Sequence, residues 1–299
     1  MSAARERLRG PDIALALAAV AVWGTNFVVI KVGLRDFPPL LFACLRFVFC
    51  VIPFALFIRR PDVSWRWLML YGAFLGAGQF ALLFYAMRSD ITPGLASLVI
   101  QTQVFFTIAL SMWLFRERMA PSAIAGIALA ASGLVLIAFN IDASVTLAGL
   151  LMVLGAGFSW ACGNTVVKHA SRQGRRFDML AFVVWASLFA VPPLLLLTLV
   201  LEGPATISSA LATARWDAWA SLAWQVVGNT LFGFAVWGWL LSRYDAAVVS
   251  PYALLVPIFG MGSSALLLGE SLPAWKLTGG ALVLAGIAIA TLVRLSRRT

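Results

Sequence analysis

The sequence predicts an all-α integral membrane protein whose ten transmembrane helices form two inverted repeats of five helices. Three observations support this fold class. The chain of 299 residues is 62% hydrophobic and 11% charged, whereas a soluble domain carries about 25% charged residues. Its apolar runs are continuous over about 20 residues, the length that crosses the hydrocarbon core of a bilayer. Segments of the first half recur in the second half, which indicates the repeat.

Ten apolar stretches are long enough to cross a membrane, and short polar connections separate most of them. The longest connection covers 201–217, which leaves no room for a soluble domain. Three arginines precede the first stretch, but its apolar run continues to Lys31 without an Ala-x-Ala cleavage signal. We therefore expect a retained helix rather than a signal peptide. The ten predicted spans are 12–33, 40–58, 67–87, 92–115, 121–139, 146–168, 178–200, 219–241, 246–268 and 274–293.

The distribution of Lys and Arg predicts the orientation, because segments rich in these residues stay on the cytoplasmic side. With the N-terminus inside, sixteen of them fall in inner termini and loops, and four fall in outer loops. Both termini are therefore predicted to be cytoplasmic. The net charge of +10 fits contact with the anionic headgroups of the lipid bilayer, so no nucleic-acid partner is expected. The four outer residues are Arg35, Arg88, Arg215 and Lys276.

Cysteine and histidine usage argues against metal, disulfide and enzyme chemistry. Cys44, Cys50 and Cys162 fall inside predicted spans, and an odd, buried set does not form a disulfide framework. The single histidine, His169, has no Cys or His partner at the spacing of a metal site. We expect no metal and no other cofactor. A membrane-embedded enzyme is disfavoured, since no His, Cys or carboxylate cluster falls at one membrane depth.

Two alignments reveal the internal repeat. RERMAPSAIAGIALAASGLVLIA in the fifth span aligns with GESLPAWKLTGGALVLAGIAIAT in the tenth, which matches Gly126 with Gly279 and Gly133 with Gly286. The spacing of Trp and Lys in the first span also recurs in the sixth span. Because five spans are an odd number, the second half must be inverted relative to the first, as in many secondary transporters. The two predicted domains are residues 1–140 and 141–299.

These residues resemble the drug/metabolite transporter superfamily, specifically proteins built from two EamA-type repeats. The chain is most similar to the bacterial inner-membrane exporters of aromatic and other neutral amino acids. The resemblance covers nearly the whole chain and implies ten helices around a central cavity, with export from the cytoplasm. It rests on Trp23-Gly24, Leu45-Arg46-Phe47, and Glu117 and Glu270 followed by glycines at +9 and +16.

Polar side chains inside the spans identify the candidate binding residues, because such groups are costly in hydrocarbon and face a cavity or a partner. All 12 Asp and Glu residues lie at or near span ends, which argues against a carboxylate proton relay and against a site for cations. Amides bind both ends of an amino acid, and aromatic rings stack on its side chain. We expect a neutral or zwitterionic solute, such as an amino acid, to bind Trp160, Asn164, Gln79, Tyr85, Gln101, Asn229, Trp237 and Tyr252.

Four further residues are candidates for gates or path ends. Lys31 and Lys168 occupy matching positions in the two halves and are expected to close opposite ends of the path. Pro251 and Pro257 remove backbone donors from the ninth span, which predicts a bend or an unwound stretch that serves as a hinge or path. The family often has a proline at this position in both repeats. The chain departs from that pattern, because the first-half counterpart of Pro257 is Val104.

Structural alternatives stay open for each of these groups. The amides can instead form hydrogen bonds between neighbouring helices. Trp160 can pack against other helices without lining a cavity, and the two lysines can extend their charged ends to the membrane surface. Glu117 and Glu270 precede helix starts at Pro121 and Pro273, where a helix dipole would stabilise them.

Two questions about function and assembly also stay open. The alternative function is transport of a phosphorylated or nucleotide-linked metabolite, which would need several convergent cations. The candidates for these are Arg46, Lys31 and Lys168. The repeated glycines allow close helix packing, either within the monomer, which we favour, or against a second copy. Without a buried carboxylate, we expect weak or absent proton coupling.

Overall fold

The computed structural model describes residues 8–116, 121–140, 144–172, 177–244 and 246–296. Within these ranges, regular structure consists of helices and one isolated antiparallel bridge between the starts of two of them. Glu117, one of the two acidic residues of the repeat, lies outside the described residues.

Eleven helical segments form the described part of the chain. Seven of them are long and apolar enough to cross a membrane, and two shorter apolar helices accompany them, so the chain is a multi-pass membrane protein. The segments are α1 (Gly10–Gly33), α2 (Pro39–Phe57, with a break after Val51), α3 (Trp65–Ser89), α4 (Pro93–Phe115), α5 (Pro121–Phe139), α6 (Leu147–Arg172), α7 (Met179–Glu202), α8 (Pro204–Thr213), α9 (216–243), α10 (246–268) and α11 (Ala274–Ser296).

One predicted connection is itself helical. The sequence predicts a loop over 201–217, but α8 occupies most of it and exposes most of its residues. Gly203 adopts φ +80°, a backbone conformation that favours glycine, and lets the chain turn away from α7. Pro204 then takes the first helical position, where its missing N–H leaves no hydrogen bond unmade. The loop prediction was wrong because these two residues start a new helix.

Most departures from α geometry occupy corresponding helices of the two halves, although the π-helical end of α7, Thr198–Glu202, has no π-helical counterpart in α2. With the short α8 left out of the count, the third helix of each half contains a π-helical stretch, Gly72–Gln79 in α3 and Trp224–Phe232 in α9. On the same count, the fourth helix of each half contains a 3-10 stretch, Ile100–Thr102 in α4 and Ser250–Leu255 in α10. Such stretches interrupt the regular hydrogen-bond ladder of a helix.

The predicted distortion of the ninth span is present in α10, as a tightened helix rather than an unwound one. Pro251 lies in the 3-10 stretch, and Pro257 lies in the first turn of the α-helix that follows it. The matching 3-10 stretch of α4 has no such proline: Val104 occupies the position that corresponds to Pro257 of α10. A matched pair of distortions therefore exists even though the prolines are not matched.

Two carboxylates at the ends of second-half helices bind the starts of first-half helices. Glu202, at the end of α7, accepts hydrogen bonds from the backbone N–H of Leu40 at 2.7 Å and of Leu41 at 2.9 Å. Glu270, just after α10, accepts from the backbone N–H of Gly94 at 3.0 Å. The end of α7 thus meets the start of α2, and the end of α10 meets the start of α4, so each pair is antiparallel.

The helices α5 and α11 pack against each other through their glycines. A Cβ atom added to Gly126 would lie 2.4 Å from the carbonyl oxygen of Gly286, and one added to Gly133 would lie 2.7 Å from that of Gly279. The two backbones are therefore in direct contact and run antiparallel. Of the two packing alternatives that the sequence left open, the structure shows contact within one chain.

The remaining helices surround α1 and α6. Helix α1 packs against α9, α10 and α4, whereas α6 packs against α3 and α4. A continuous buried core, which includes Phe42, Phe84 and Phe182, joins most of the helices. The buried polar network around Arg46, described first below, lies where α1, α2, α3 and α9 meet.

Candidate functional site

A buried arginine connects α2 to α9. Arg46 is 2% exposed and donates hydrogen bonds to Gln225 Oε1 at 3.2 Å and to Thr230 Oγ1 at 3.1 Å. Its guanidinium also stacks on Phe80 of α3, 3.8 Å from the ring centroid. Both acceptors belong to the π-helical stretch of α9. The only cation in the interior of α2 is therefore held by neutral partners.

The same network continues into α1. Gln225 is fully buried and donates through Nε2 to Asn26 Oδ1 at 2.7 Å. Thr230 donates its hydroxyl to the backbone carbonyl of Gln225 at 2.9 Å. Both ends of the Gln225 side chain are thus occupied, one by Arg46 and one by Asn26. We call Arg46, Asn26, Gln225, Thr230 and Phe80 the arginine cluster.

An aromatic cluster lies further along α1 and α9. Trp23 donates its indole N–H to the backbone carbonyl of Asn229 at 3.1 Å, and its ring lies 5.1 Å from that of Trp237. Trp237 and Tyr252 also pack together on a small buried cluster around Leu240. The structure therefore brings together three residues predicted to bind substrate: Asn229, Trp237 and Tyr252.

The second-half motif of Trp160, Asn164 and Lys168 faces a different helix. Asn164 donates to Gln103 Oε1 at 2.9 Å and to Thr107 Oγ1 at 3.2 Å, both on α4. The partly buried Trp160 packs on the main core. For Asn164 these contacts match the alternative in which an amide joins neighbouring helices.

The last three predicted binding residues occupy separate environments. Gln101 is buried and makes one long contact, from Nε2 to the carbonyl oxygen of Ala253 at 3.4 Å. Gln79 is 4% exposed, and its Oε1 has no hydrogen-bond partner among the described residues. Tyr85 is 49% exposed.

The two lysines predicted as path ends both cross to other helices. Lys31 donates to the carbonyl oxygens of Met87 and Arg88, each at 2.9 Å, and so caps the end of α3. Lys168 donates to Ser111 Oγ on α4 at 3.0 Å and lies over the ring of Phe115. A cation at a helix C-terminus is stabilised by the exposed carbonyls and the helix dipole.

The helix that Glu270 stabilises is not the one that the sequence indicates. Besides the Gly94 N–H, its carboxylate accepts the hydroxyls of Thr92, at 2.5 Å, and of Ser264. It therefore caps α4 of the first half rather than its own following helix, α11. Lys276 completes a buried ion pair with Glu270 at 3.1 Å. The acidic residue is structural, as predicted, but it acts across the two halves.

Carboxylates in the described part of the chain lie at helix ends or in loops. No hydrogen bond or ion pair joins any of them to the arginine cluster. Asp12, at the start of α1, is buried and accepts from the hydroxyl of Tyr244. Tyr244 is one of the residues around Leu240 on which Trp237 and Tyr252 pack. The described carboxylates are Asp12, Asp36, Asp62, Asp90, Asp178, Glu202, Asp217 and Glu270.

A cleft of about 490 Å³ opens at one end of the helices rather than at their centre. The loop between α1 and α2 forms one wall, and α8 forms the other. Asp36 lies in this cleft and accepts from the guanidinium and the backbone N–H of Arg215. These bonds hold the pKa of the Asp36 carboxyl below its ordinary value.

From the sequence, Arg46 is part of the family motif and a candidate cation for the alternative function, but the predicted pocket does not include Arg46, Asn26 or Gln225. Thr230 was not noted. The available signal was an arginine inside an apolar span, which is rare and marks a partner or a function. Its partners were not recognisable, because Gln225 and Thr230 lie 179 and 184 residues away in the chain.

Comparisons with known proteins identify relatives along nearly the full length. The profile of the EamA-like transporter family matches residues 11–139 and 147–292. A "Probable amino-acid metabolite efflux pump" of Salmonella typhimurium is 44% identical over 92% of this chain and 93% of that protein. The Escherichia coli protein of the same description is 42% identical over 93% of this chain and 94% of its own.

Two more distant matches extend the comparison. A "Probable terminal-alkyne amino-acid exporter" of Streptantibioticus cattleyicolor is 27% identical, with 93% of each chain covered. A solved structure described as "Crystal structure of protein" has a TM-score of 0.62 at 18% identity, covers 97% of this chain and 99% of its own, and shows a shared fold. With the profile match and relatives at 42–44% identity, the chain belongs to the EamA-like transporter family, has two EamA repeats, and is a membrane transporter rather than an enzyme.

Proposed function

We propose that this transporter exports aromatic and other neutral amino acids from the cytoplasm across a bacterial inner membrane. The names of the relatives from Salmonella typhimurium and Escherichia coli support an amino-acid metabolite as substrate. The family match supports transport without covalent chemistry. The preference for neutral and aromatic amino acids rests on the polar interior of this chain.

The observation that carries the proposal is the chemistry of that interior. The polar groups that meet in the arginine and aromatic clusters between α1, α2, α3 and α9 are amides, a hydroxyl, indoles and one guanidinium, and the described carboxylates lie at helix ends or in loops. Amides and indoles bind neutral or zwitterionic solutes, whereas a cationic solute would need an acid among these groups. An amino acid with an aromatic side chain uses all of these groups.

The proposed topology has ten transmembrane helices in two inverted repeats, divided between residues 140 and 141, with both termini in the cytoplasm. The ten are the eleven helical segments without α8. Three features support the inversion: the antiparallel contacts of α2 with α7, of α4 with α10, and of α5 with α11. The matched π and 3-10 stretches support the repeat itself, because they occur in corresponding helices.

Transport would proceed by alternating access, in which one repeat rocks against the other around a site between them. The π and 3-10 stretches supply places where α3, α4, α9 and α10 can change shape, because their backbone hydrogen bonds are already irregular. Pro251 and Pro257 mark this place in α10. Lys31 and Lys168 would hold opposite ends of the path closed through their contacts with α3 and α4.

The proposed substrate-contacting residues are those predicted from the sequence, and two features support part of the set. Asn229, Trp237 and Tyr252 lie in or beside one aromatic cluster. Gln79 has a buried oxygen without a partner among the described residues. Gln101, Tyr85, Trp160 and Asn164 complete the set and would be recruited in another conformation of the cycle.

Uptake into proteoliposomes tests the proposal directly. Labelled tryptophan, phenylalanine, threonine, lysine and glutamate are offered to the purified full chain, with and without an imposed pH gradient. We expect saturable uptake of the first three and little uptake of lysine, with a weak effect of the gradient. Uptake of none of them would refute the amino-acid assignment, and strict dependence on the gradient would refute weak proton coupling.

A further inference from the structure

Arg46 is buried in a way that leaves its charge without a counter-ion. It lies seven residues inside α2, is 2% exposed, and has no carboxylate partner among the described residues. Taking a guanidinium out of water is costly, and proteins normally offset the cost with an ion pair. Here the charge is offset by a glutamine oxygen, a hydroxyl oxygen, an aromatic face and the neighbouring Cys50 thiol, none of which is a carboxylate.

The guanidinium also retains unused capacity. It has five N–H donors in a planar fork, which suits two parallel bonds to a carboxylate. Its Nη1 and Nη2 groups bond to Gln225 and Thr230, while Nε is buried and has no partner among the described residues. A neutral amide and a hydroxyl are weaker partners for this fork than a carboxylate, because charge-assisted pairs are roughly twice as strong.

We propose that Arg46 binds the carboxylate of the transported solute, and that Gln225 and Thr230 occupy its fork when no solute is present. The inference rests on the proposed function, because it names the group that anchors an amino acid. An incoming carboxylate can replace both neutral acceptors by binding Nη1 and Nη2, or it can displace Thr230 and bind Nη2 and Nε, which satisfies the unpaired donor. The exchange turns a costly buried cation into an ion pair only when solute is bound.

Helix α9 supplies a physical means for the exchange. Gln225 and Thr230 both belong to the π-helical stretch Trp224–Phe232, whose backbone ladder is irregular. Thr230 bonds back to the Gln225 carbonyl, and Gln225 bonds to Asn26 on α1. A shift of this stretch away from α2 therefore withdraws both acceptors from Arg46 at once. The solute carboxylate would then couple α2 to α9 in their place.

A residue of α3 next to Phe80 in the chain offers a group for the other end of an amino acid. Gln79 directly precedes Phe80, the residue on which Arg46 stacks, and its buried Oε1 has no partner among the described residues. An unpaired carbonyl oxygen is an acceptor for an ammonium group. A fixed positive charge in a medium of low dielectric constant also disfavours solutes with net positive charge. Arg46 thereby explains why lysine would be a poor substrate.

Two probes of nearly equal shape test the carboxylate anchor. The thermal unfolding of the purified full chain in detergent is measured with phenylacetate and with phenylacetamide, at constant ionic strength. We expect phenylacetate to raise Tm with a saturable dependence on concentration and phenylacetamide to leave it unchanged. Equal effects of the two probes, or no effect of either, would overturn the proposal without the need for any variant.

Variants then locate the site. Arg46→Gln should weaken phenylacetate binding at least tenfold, and Arg46→Lys, which keeps the charge but loses the fork, should also weaken it tenfold. Arg60→Gln is the matched control, since Arg60 is exposed and lies over Trp65. Thr230→Val removes a competing acceptor and should tighten binding severalfold. Unchanged binding in a folded Arg46 variant, or in Thr230→Val, would contradict the exchange.

Uptake of labelled phenylalanine separates this inference from the proposed function. Wild-type uptake that Arg46→Lys leaves unchanged in both KM and maximal rate would refute the anchor and leave the exporter assignment intact. Absence of wild-type uptake of every amino acid, together with phenylacetate binding that depends on Arg46, would refute the exporter assignment and support a carboxylate site for another class of solute.

Discussion

Gly126 and Gly286 hold α5 and α11 at backbone contact, and the contact is reciprocal: a Cβ atom on either residue would lie 2.4 Å from the carbonyl oxygen of the other. No side chain fits there without separating the helices. We expect Gly126→Ala to lower the free energy of unfolding by about 1 to 3 kcal/mol, because the helices must move apart. Unfolding of the purified protein in mixed micelles measures this change.

Gly262 in α10 provides a matched control for the glycine substitution. A Cβ atom there would meet nothing within 4 Å, and alanine is a better helix former than glycine. Gly262→Ala should therefore leave stability unchanged or raise it slightly. Equal effects of the two substitutions would show that the contact between α5 and α11 does not determine stability.

These glycines illustrate what could be predicted from the sequence. The apolar spans were recognisable because a chain in lipid must satisfy its backbone within helices, and the repeated glycines predicted close packing. The arginine cluster could not be predicted, because Arg46 meets partners 179 and 184 residues away. The π-helical stretches that carry these partners leave no periodic pattern in the sequence either. The target of Glu270 was missed for the same reason, since Gly94 lies 176 residues from it.

The buried pair of Glu270 and Lys276 should show strong coupling in a double-mutant cycle. Their side chains are 5% and 1% exposed, and Lys276 also donates to the Ser271 carbonyl. Loss of one partner from a buried ion pair costs about 3 to 5 kcal/mol, because the other charge is left uncompensated. Glu270→Gln and Lys276→Met should each destabilise the protein by this order, and the double variant by less than the sum.

The measurement is the free energy of unfolding of the four proteins in the same micelles. Because Glu270 also accepts from Thr92 and Gly94, its replacement should cost more than that of Lys276. Additive effects would mean that the two residues act independently and that the short distance between them has no energetic consequence.

The cap that Glu202 places on α2 should contribute about 1 kcal/mol. Its two carboxylate oxygens accept separately from the backbone N–H groups of Leu40 and Leu41. In Glu202→Gln the side-chain NH₂ group replaces one of these oxygens and cannot accept from the N–H that it faces. Substitution of a capping side chain costs about 0.5 to 2 kcal/mol, and loss of the charge adds to this at a helix N-terminus. Thermal unfolding should show a lower Tm for Glu202→Gln but an unchanged one for Ser208→Ala, whose side chain is exposed on α8.

The contact between Asp36 and Arg215 should make stability depend on pH in the acid range. Arg215 donates to Asp36 from its backbone at 2.9 Å and from Nε at 3.1 Å, which keeps the pKa of Asp36 below its ordinary value. A carboxyl with a depressed pKa in the folded state stabilises it above the pKa of the unfolded chain, about 3.9. That contribution is lost as pH falls through the lower folded-state pKa.

The difference in Tm between the wild type and Asp36→Asn measures this contribution. The difference should be constant from pH 7 to about pH 5 and should shrink below about pH 4, where the wild-type carboxyl becomes protonated. The variant itself should not show this acid transition. A difference that grows as the pH falls would have the wrong sign and would exclude the pair as its cause.

Two substitutions test whether Trp160 and Gln101 line the substrate path. Trp160 is partly buried against the core, and Gln101 is buried with one long contact, so neither residue is committed to a strong bond. Trp160→Ala should reduce uptake of labelled phenylalanine at least tenfold, because a stacking face is lost, and Gln101→Ala should raise KM severalfold. Trp113→Ala is the control, since Trp113 is 77% exposed. If both variants transport phenylalanine like wild type at equal expression, these two residues lie outside the path, and the aromatic cluster of α1 and α9 becomes the remaining candidate.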